Sequence, residues 1–172
     1  MNGEETLMAL LFGFMAFFAV IALIGFILYF FKAIGLFKLA KKEGRGDLAW
    51  LGWVPVVNTF LMMLLLEKSV HESFRNKLTL IYGISIAATV VLSSFGAGFI
   101  SFIPSILFFY AFYFLAKRYS TNPILHLVIG IITFSGSTSI SIFMFRNKQP
   151  VDTTGMDVID TPYTEDNTNT EQ

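Results

Sequence analysis

The chain of 172 residues has no cysteine, and only 14% of its residues are charged. The absence of cysteine excludes disulfides and thiolate metal ligands, and it leaves the cellular compartment open. Charged residues are missing altogether from residues 6–31, 78–116 and 119–145. Soluble domains carry about 25% charged residues, so this distribution argues against a soluble globular domain.

The hydrophobic residues make up 55% of the chain, and the mean hydropathy is +0.67. Uncharged apolar runs of about 18 or more residues are typical of membrane spans. The sequence therefore predicts an all-α, polytopic integral membrane protein with four to five transmembrane helices in one domain, residues 1–145. The expected spans are residues 7–31, 48–66, 78–96, 99–116 and 124–145. Residues 146–172 are acidic and poor in large apolar side chains, which predicts a disordered tail.

Residues 48–66 are the most unusual of these segments because Pro and Asn interrupt an apolar stretch. Pro55 has no backbone N–H and clashes with the preceding turn, so a straight helix through it is costly. Asn58 is expected to bond the backbone groups that this break frees. Trp50 and Trp53 fit an aromatic belt at the membrane surface. The pattern favours a re-entrant segment, and a kinked full span is the alternative.

Basic residues set the expected orientation. The twelve Lys and Arg lie in four clusters, within residues 32–45, 68–77, 117–118 and 146–148. Re-entry of 48–66 places the first three clusters in the cytoplasm, as the positive-inside bias favours. The loop 32–47 is then cytoplasmic, and the N-terminus lies outside. We expect 124–145 to span the membrane; the alternative is a second re-entrant segment, broken at Ser135–Ser139.

Residues 32–42 carry an amphipathic pattern, because Ala33, Leu36, Phe37 and Ala40 fall on one helical face. This pattern predicts a short separate helix that lies in the headgroup region of the lipid bilayer. Four basic side chains would then contact anionic lipid headgroups, namely Lys38, Lys41, Lys42 and Arg45.

Side chains suited to catalysis are scarce in the apolar segments. Charges inside a membrane mark ion pathways and proton relays, and the uncharged runs offer none. His126 and Ser137 suggest a serine hydrolase, but they lie about 16 Å apart on a continuous helix and would meet only if the segment folds back. A G-x-S-x-G motif is absent. We therefore expect no catalytic, cofactor or metal site, and no enzyme.

Two stretches of the chain share a pattern with other sequences. Residues 33–42, AIGLFKLAKK, are followed by residues 48–58, LAWLGWVPVVN. This combination resembles small uncharacterised multi-pass membrane proteins of Gram-positive bacteria, which join a basic GL-x-x-x-A-K-K/R helix to a W-x-x-W-I/V-P-x-x-N segment. Lys117–Ser120 and Phe145–Lys148 are similar to that group as well. The resemblance implies a bacterial inner-membrane location and no particular activity, and the long acidic tail departs from it.

Two functions agree with these features. The favoured one is a non-catalytic accessory or interaction protein that binds lipids, a membrane-protein partner or a second copy of itself. The alternative is a small transporter, channel or permeability factor for a neutral or lipidic substrate. In that alternative, Asn58, Ser137 and Thr138 would face one shared cavity, because broken helices often build such sites. Nucleic acid is not an expected partner, since the basic loops serve as topology signals.

Overall fold

The computed structural model describes residues 3–96 and 98–151, and every regular element in these ranges is helical. The α-helices are α1 (Gly3–Lys42), α2 (Val57–Leu66), α3 (Leu78–Ser93), α4 (Phe102–Tyr119), α5 (Pro123–Ile132) and α6 (Gly136–Phe145). Two 3₁₀ helices, Gly46–Trp53 and Gly98–Ser101, precede α2 and α4. The all-α expectation is confirmed. Most of the predicted acidic tail, from residue 152 onward, lies outside the described residues.

Two helical stretches are long and apolar enough to cross a membrane, namely α1 and the stretch Gly98–Tyr119 that contains α4. The most apolar window of α1 has none of its residues buried inside the protein. A helix that is apolar and exposed on all sides needs lipid or a protein partner around it. The four or five predicted spans are not confirmed, since the other apolar helices have only 10 to 16 residues.

The predicted interfacial helix 32–42 is the last part of α1 and does not form a separate element. Ala33, Leu36 and Ala40 of the predicted apolar face are indeed buried. They face protein, because this part of α1 lies against the following 3₁₀ helix and α6. The expected separate helix is wrong: residues 31–33 contain no helix breaker, and the helix ends only before Gly44, which has a φ of +74°.

Residues 46–66 double back, and we call them the first hairpin. The 3₁₀ helix runs back along α1, where the hydroxyl of Tyr29 donates to the backbone carbonyl of Trp53. The break falls at Pro55, as predicted, and α2 then returns toward the end of α1. The prediction that the side chain of Asn58 bonds the backbone groups freed at this break is wrong. Its backbone amide, 2.9 Å from the Val54 carbonyl, makes the bond instead.

Residues 123–145 form a second hairpin from α5 and α6. His126 Nδ1 lies 3.0 Å from Ser141 Oγ, so the two helices run antiparallel. At the turn, Ser135 donates its backbone amide to the Gly130 carbonyl at 2.8 Å, and Phe134 has a φ of +48°. Each helix rises only about 15 Å, half the thickness of the hydrocarbon layer. The favoured single span over 124–145 therefore disagrees with the structure, which corresponds to the alternative of a broken segment.

Members of all four basic clusters meet at one end of the molecule, which we call the basic end. Lys42 Nζ, at the end of α1, donates to the carbonyls of Arg146 and Lys148, at 3.1 and 2.6 Å. Arg118, at the end of α4, binds Glu43 and Ser69. The tips of both hairpins point away from this end and reach the level of Leu28 and Tyr29 in α1.

Candidate functional site

A cavity of about 280 Å³ lies between α1, α3, α4 and the tip of the second hairpin. Seven residues line it: Lys32, Tyr82, Pro104, Ser105, Phe108, Phe109 and Ser135. We call it the Lys32 cavity. Its wall combines one cation, three hydroxyls and aromatic rings, and its volume is near the lower end of ligand pockets, about 300–1,000 Å³. This is the kind of wall that can bind a small molecule with a polar group.

Lys32 supplies the positive charge of this cavity. It lies ten residues before the end of α1, so it is about 15 Å from the basic end. Its Nζ donates to Thr59 Oγ1 at 2.8 Å and lies 5.3 Å from the centre of the Phe108 ring. Among the described residues, the structure pairs no carboxylate with it. The sequence placed Lys32 in a cytoplasmic loop, so this residue of the site was missed. The unbroken helical pattern across residues 31–33 was the signal that could have revealed it.

Asn58 supports the lysine indirectly. Thr59 Oγ1 donates to Asn58 Oδ1 at 3.1 Å, which leaves the hydroxyl lone pairs to accept from Lys32. Asn58 is only 4% exposed and does not line the cavity. Its carboxamide thus fixes the orientation of the hydroxyl that holds the ammonium group.

Ser137 and Thr138 do not reach the Lys32 cavity. Thr138 is buried, and its hydroxyl donates to the Ser135 carbonyl at 2.5 Å, while Ser137 accepts from Thr133 Oγ1 at 2.8 Å. The Lys32 cavity is therefore not the predicted cavity that Asn58, Ser137 and Thr138 would share. Only Ser135, from the same polar turn, contributes to its wall.

The remaining predicted residues of the first hairpin lie away from the cavity. Trp50 is 59% exposed, and Pro55 is exposed at the tip. Trp53 is partly covered, with its ring 5.8 Å from that of Phe30. These positions leave the two Trp side chains available to lipid, and their place in an aromatic belt stays a prediction.

The predicted headgroup-binding residues differ in what they contact. Lys38 and Lys41 are exposed on α1, and Lys41 Nζ lies 4.4 Å from the centre of the Phe37 ring. Lys42 and Arg45 are half-buried, and Lys42 is engaged with the two carbonyls of the α6 terminus. Contact with anionic headgroups therefore stays a prediction, and the exposed pair is best placed for it.

The second hairpin does bring His126 to a serine, but to Ser141 and not to Ser137. Ser141 is 6% exposed and lies inside α6, where the backbone amides are committed to the helix. Hydrolases commonly hold the oxyanion beside the nucleophile with free backbone N–H groups, which the helix around Ser141 does not offer. The His126 ring also packs edge-on against Phe145, with 5.1 Å between the ring centres. The pair thus joins the two helices.

A second polar cluster lies at the basic end. Arg118 Nη1 and Glu43 Oε2 are 2.5 Å apart, with the two side chains only 2% and 5% exposed. Tyr119 donates its hydroxyl to Glu43 Oε1 at 2.8 Å, and Arg118 also donates to Ser69 Oγ. This cluster ties the end of α1 to the end of α4 and to the loop after α2.

Within residues 3–96 and 98–151, no group of three or more His, Asp or Glu side chains could hold a metal ion. Comparison of the chain with protein-family models, with curated proteins and with solved structures finds no match. The cavity and its surroundings are therefore the features of this chain that bear on its function.

Proposed function

We propose that this chain is an integral membrane protein that binds a lipid or another small membrane-dissolved molecule, as a non-catalytic accessory protein. The observation that carries the proposal is the Lys32 cavity, which has a cation and hydroxyls on an otherwise aromatic wall. Sites for small molecules are commonly concave and mostly apolar, with a few polar groups that fix orientation.

The proposed setting is the bacterial inner membrane, with the basic end in the cytoplasm and the N-terminus outside. The meeting of all four basic clusters at one end supports this orientation, since Lys and Arg favour the cytoplasmic side. In this arrangement α1, α3 and α4 cross the membrane, and the two hairpins enter from the cytoplasmic side and return. The exposed apolar part of α1 leaves room for a membrane-protein partner or a second copy.

The orientation is tested with single cysteines, because the natural chain has none. Ser73→Cys lies in the exposed loop after α2, and Ser94→Cys lies in the turn after α3. On intact cells, an impermeant thiol reagent should label Ser94→Cys and leave Ser73→Cys unlabelled until the cells are opened. Labelling of Ser73→Cys from outside would contradict re-entry of the first hairpin.

Binding in the cavity is tested by native mass spectrometry of the protein released from membranes in a mild detergent. Ser105 lines the cavity and is exposed, so Ser105→Trp would fill the space without disturbing a buried group. The wild type should retain a small molecule of defined mass that Ser105→Trp loses. Ser94→Trp, an exposed serine outside the cavity, is the matched control and should retain it. Equal retention by both variants would refute binding at this site.

The second candidate function is a transporter or channel for a neutral or lipidic substrate. Its support is that both hairpins contribute to the Lys32 cavity. Thr59 of the first hairpin accepts a hydrogen bond from Lys32, and Ser135 of the second hairpin lines the wall. Broken helices often build transport sites in this way. Transport predicts flux of the bound molecule across reconstituted vesicles, with loss of that flux in Ser105→Trp. Binding without flux would favour the accessory role.

A further inference from the structure

We infer that the molecule bound in the Lys32 cavity is an amphiphile with one anionic head and one apolar chain. The head is a carboxylate or a phosphate held by Lys32, and the chain lies in the groove between α4 and α5. This inference rests on the proposed function and names the class of ligand for the same site.

The polar wall of the cavity selects an anion. Lys32 Nζ brings its amino group to it, and the hydroxyls of Tyr82 and Ser135 can donate hydrogen bonds to a ligand. The Ser105 hydroxyl, which donates to the Ser101 carbonyl at 3.3 Å, joins these donors only when it turns toward the cavity. Among residues 3–96 and 98–151, no carboxylate lines this wall, so a bound oxyanion would meet donors and no negative charge from these residues. Hydrogen bonds between a cation and an oxyanion are roughly twice as strong as neutral ones.

The groove for the chain begins beside this cavity. A second cavity of about 500 Å³ lies between α4 and α5, and its wall is formed by apolar and aromatic residues. Leu127 and Ile131 of α5 contribute to it, and Phe109 of α4 lines both this groove and the Lys32 cavity. The two spaces are therefore neighbours that share one side chain. A polar space next to an apolar one fits a molecule that is itself divided into head and chain.

The sizes of the two spaces limit the ligand. The Lys32 cavity has about nine times the volume of a water molecule in the liquid, roughly 30 Å³, which suits a carboxylate or a phosphate monoester. The groove that shares Phe109 with this cavity is larger and has the apolar wall that a hydrocarbon chain requires. A single-chain anionic lipid satisfies both spaces better than a two-chain lipid or a free anion.

The test uses the purified full chain in a neutral detergent, titrated with four probes and followed by native mass spectrometry. Palmitate and palmitoyl lysophosphatidate carry the anionic head on a chain, hexadecanol carries the chain alone, and acetate carries the head alone. The wild type should bind the two anionic amphiphiles at least tenfold more tightly than hexadecanol or acetate. The stronger of the two will tell a carboxylate site from a phosphate site.

Two pairs of variants separate the head from the chain. Lys32→Met should weaken binding of the anionic amphiphiles by about 10- to 100-fold and leave hexadecanol unchanged, whereas Lys32→Arg should keep most of the affinity. Lys38→Met, an exposed lysine on the same helix, is the control. Leu127→Trp fills the groove and should weaken every probe that has a chain. Leu125→Trp, exposed on α5 and outside the groove, should not.

The outcomes keep this inference distinct from the proposed function. If hexadecanol binds as tightly as palmitate, if Lys32→Met changes neither, or if acetate binds alone as well as palmitate does, the anionic-amphiphile assignment is refuted. The proposed function would still stand in those cases, provided that Ser105→Trp abolishes retention of the membrane-derived molecule. If the wild type retains no molecule and binds none of the probes, both are refuted.

Discussion

Neutralisation of Glu43 should destabilise the protein more than neutralisation of any exposed charged residue at its basic end. Glu43 and Arg118 are almost completely buried, and their charged atoms lie 2.5 Å apart. In Glu43→Gln the shape of the side chain is kept, but the buried guanidinium of Arg118 loses the carboxylate that lies 2.5 Å from it. Loss of one partner from a buried ion pair costs about 3–5 kcal/mol, so the free energy of unfolding should fall by an amount in that range.

The measurement is unfolding by SDS in mixed micelles, followed by tryptophan fluorescence. Trp50 and Trp53 both belong to the first hairpin, whose C-terminal loop carries Ser69, a partner of Arg118. Their emission therefore reports on the part of the fold that the ion pair joins to α4. Glu72→Gln removes a charge from an exposed residue of the same loop and should change the free energy of unfolding by less than about 0.5 kcal/mol.

A double-mutant cycle separates the ion pair from the loss of one side chain. Arg118→Met alone leaves the carboxylate of Glu43 buried, and the double variant with Glu43→Gln leaves neither charge. The double variant should lose clearly less stability than the sum of the two single variants, because a neutral pair carries no unbalanced charge. Strict additivity, or a Glu43→Gln variant as stable as the wild type, would refute this account of the basic end.

Two further predictions concern the backbone. Gly35→Ala places a Cβ 2.8 Å from the backbone of Ile142 in α6 and should cost about 1–3 kcal/mol in the same unfolding assay, whereas Gly13→Ala, with no atom within 4 Å of the new Cβ, should cost nothing. A cost at Gly13 equal to that at Gly35 would contradict the close approach of α1 and α6. Val56 is exposed at the tip of the first hairpin and has a φ of +68°. Val56→Gly should therefore raise the free energy of unfolding by about 1 kcal/mol. Val54→Gly, where φ is −94°, should lose stability, and the same sign for both would argue against a strained turn.

The breaks in the chain that depend on Pro and Gly could be predicted from the sequence. Pro55 separates the two arms of the first hairpin, and Gly96, with a φ of +83°, lies at the boundary between the predicted spans 78–96 and 99–116. The turn of the second hairpin was harder to predict. Its left-handed positions are occupied by Phe134 and Ser135, residues that rarely adopt such a backbone, so the apolar run looked like one helix.

Pairing between distant residues could not be predicted, and both polar clusters depend on it. Glu43 and Arg118 are separated by 75 residues, and Lys32 and Thr59 by 27. Lys32, Glu43 and Arg118 lie at or just beyond the boundary of an apolar run, where a solvated loop or interface is the ordinary expectation. Only the antiparallel return of the first hairpin brings Thr59 to Lys32, and that return depends on tertiary contacts with α1.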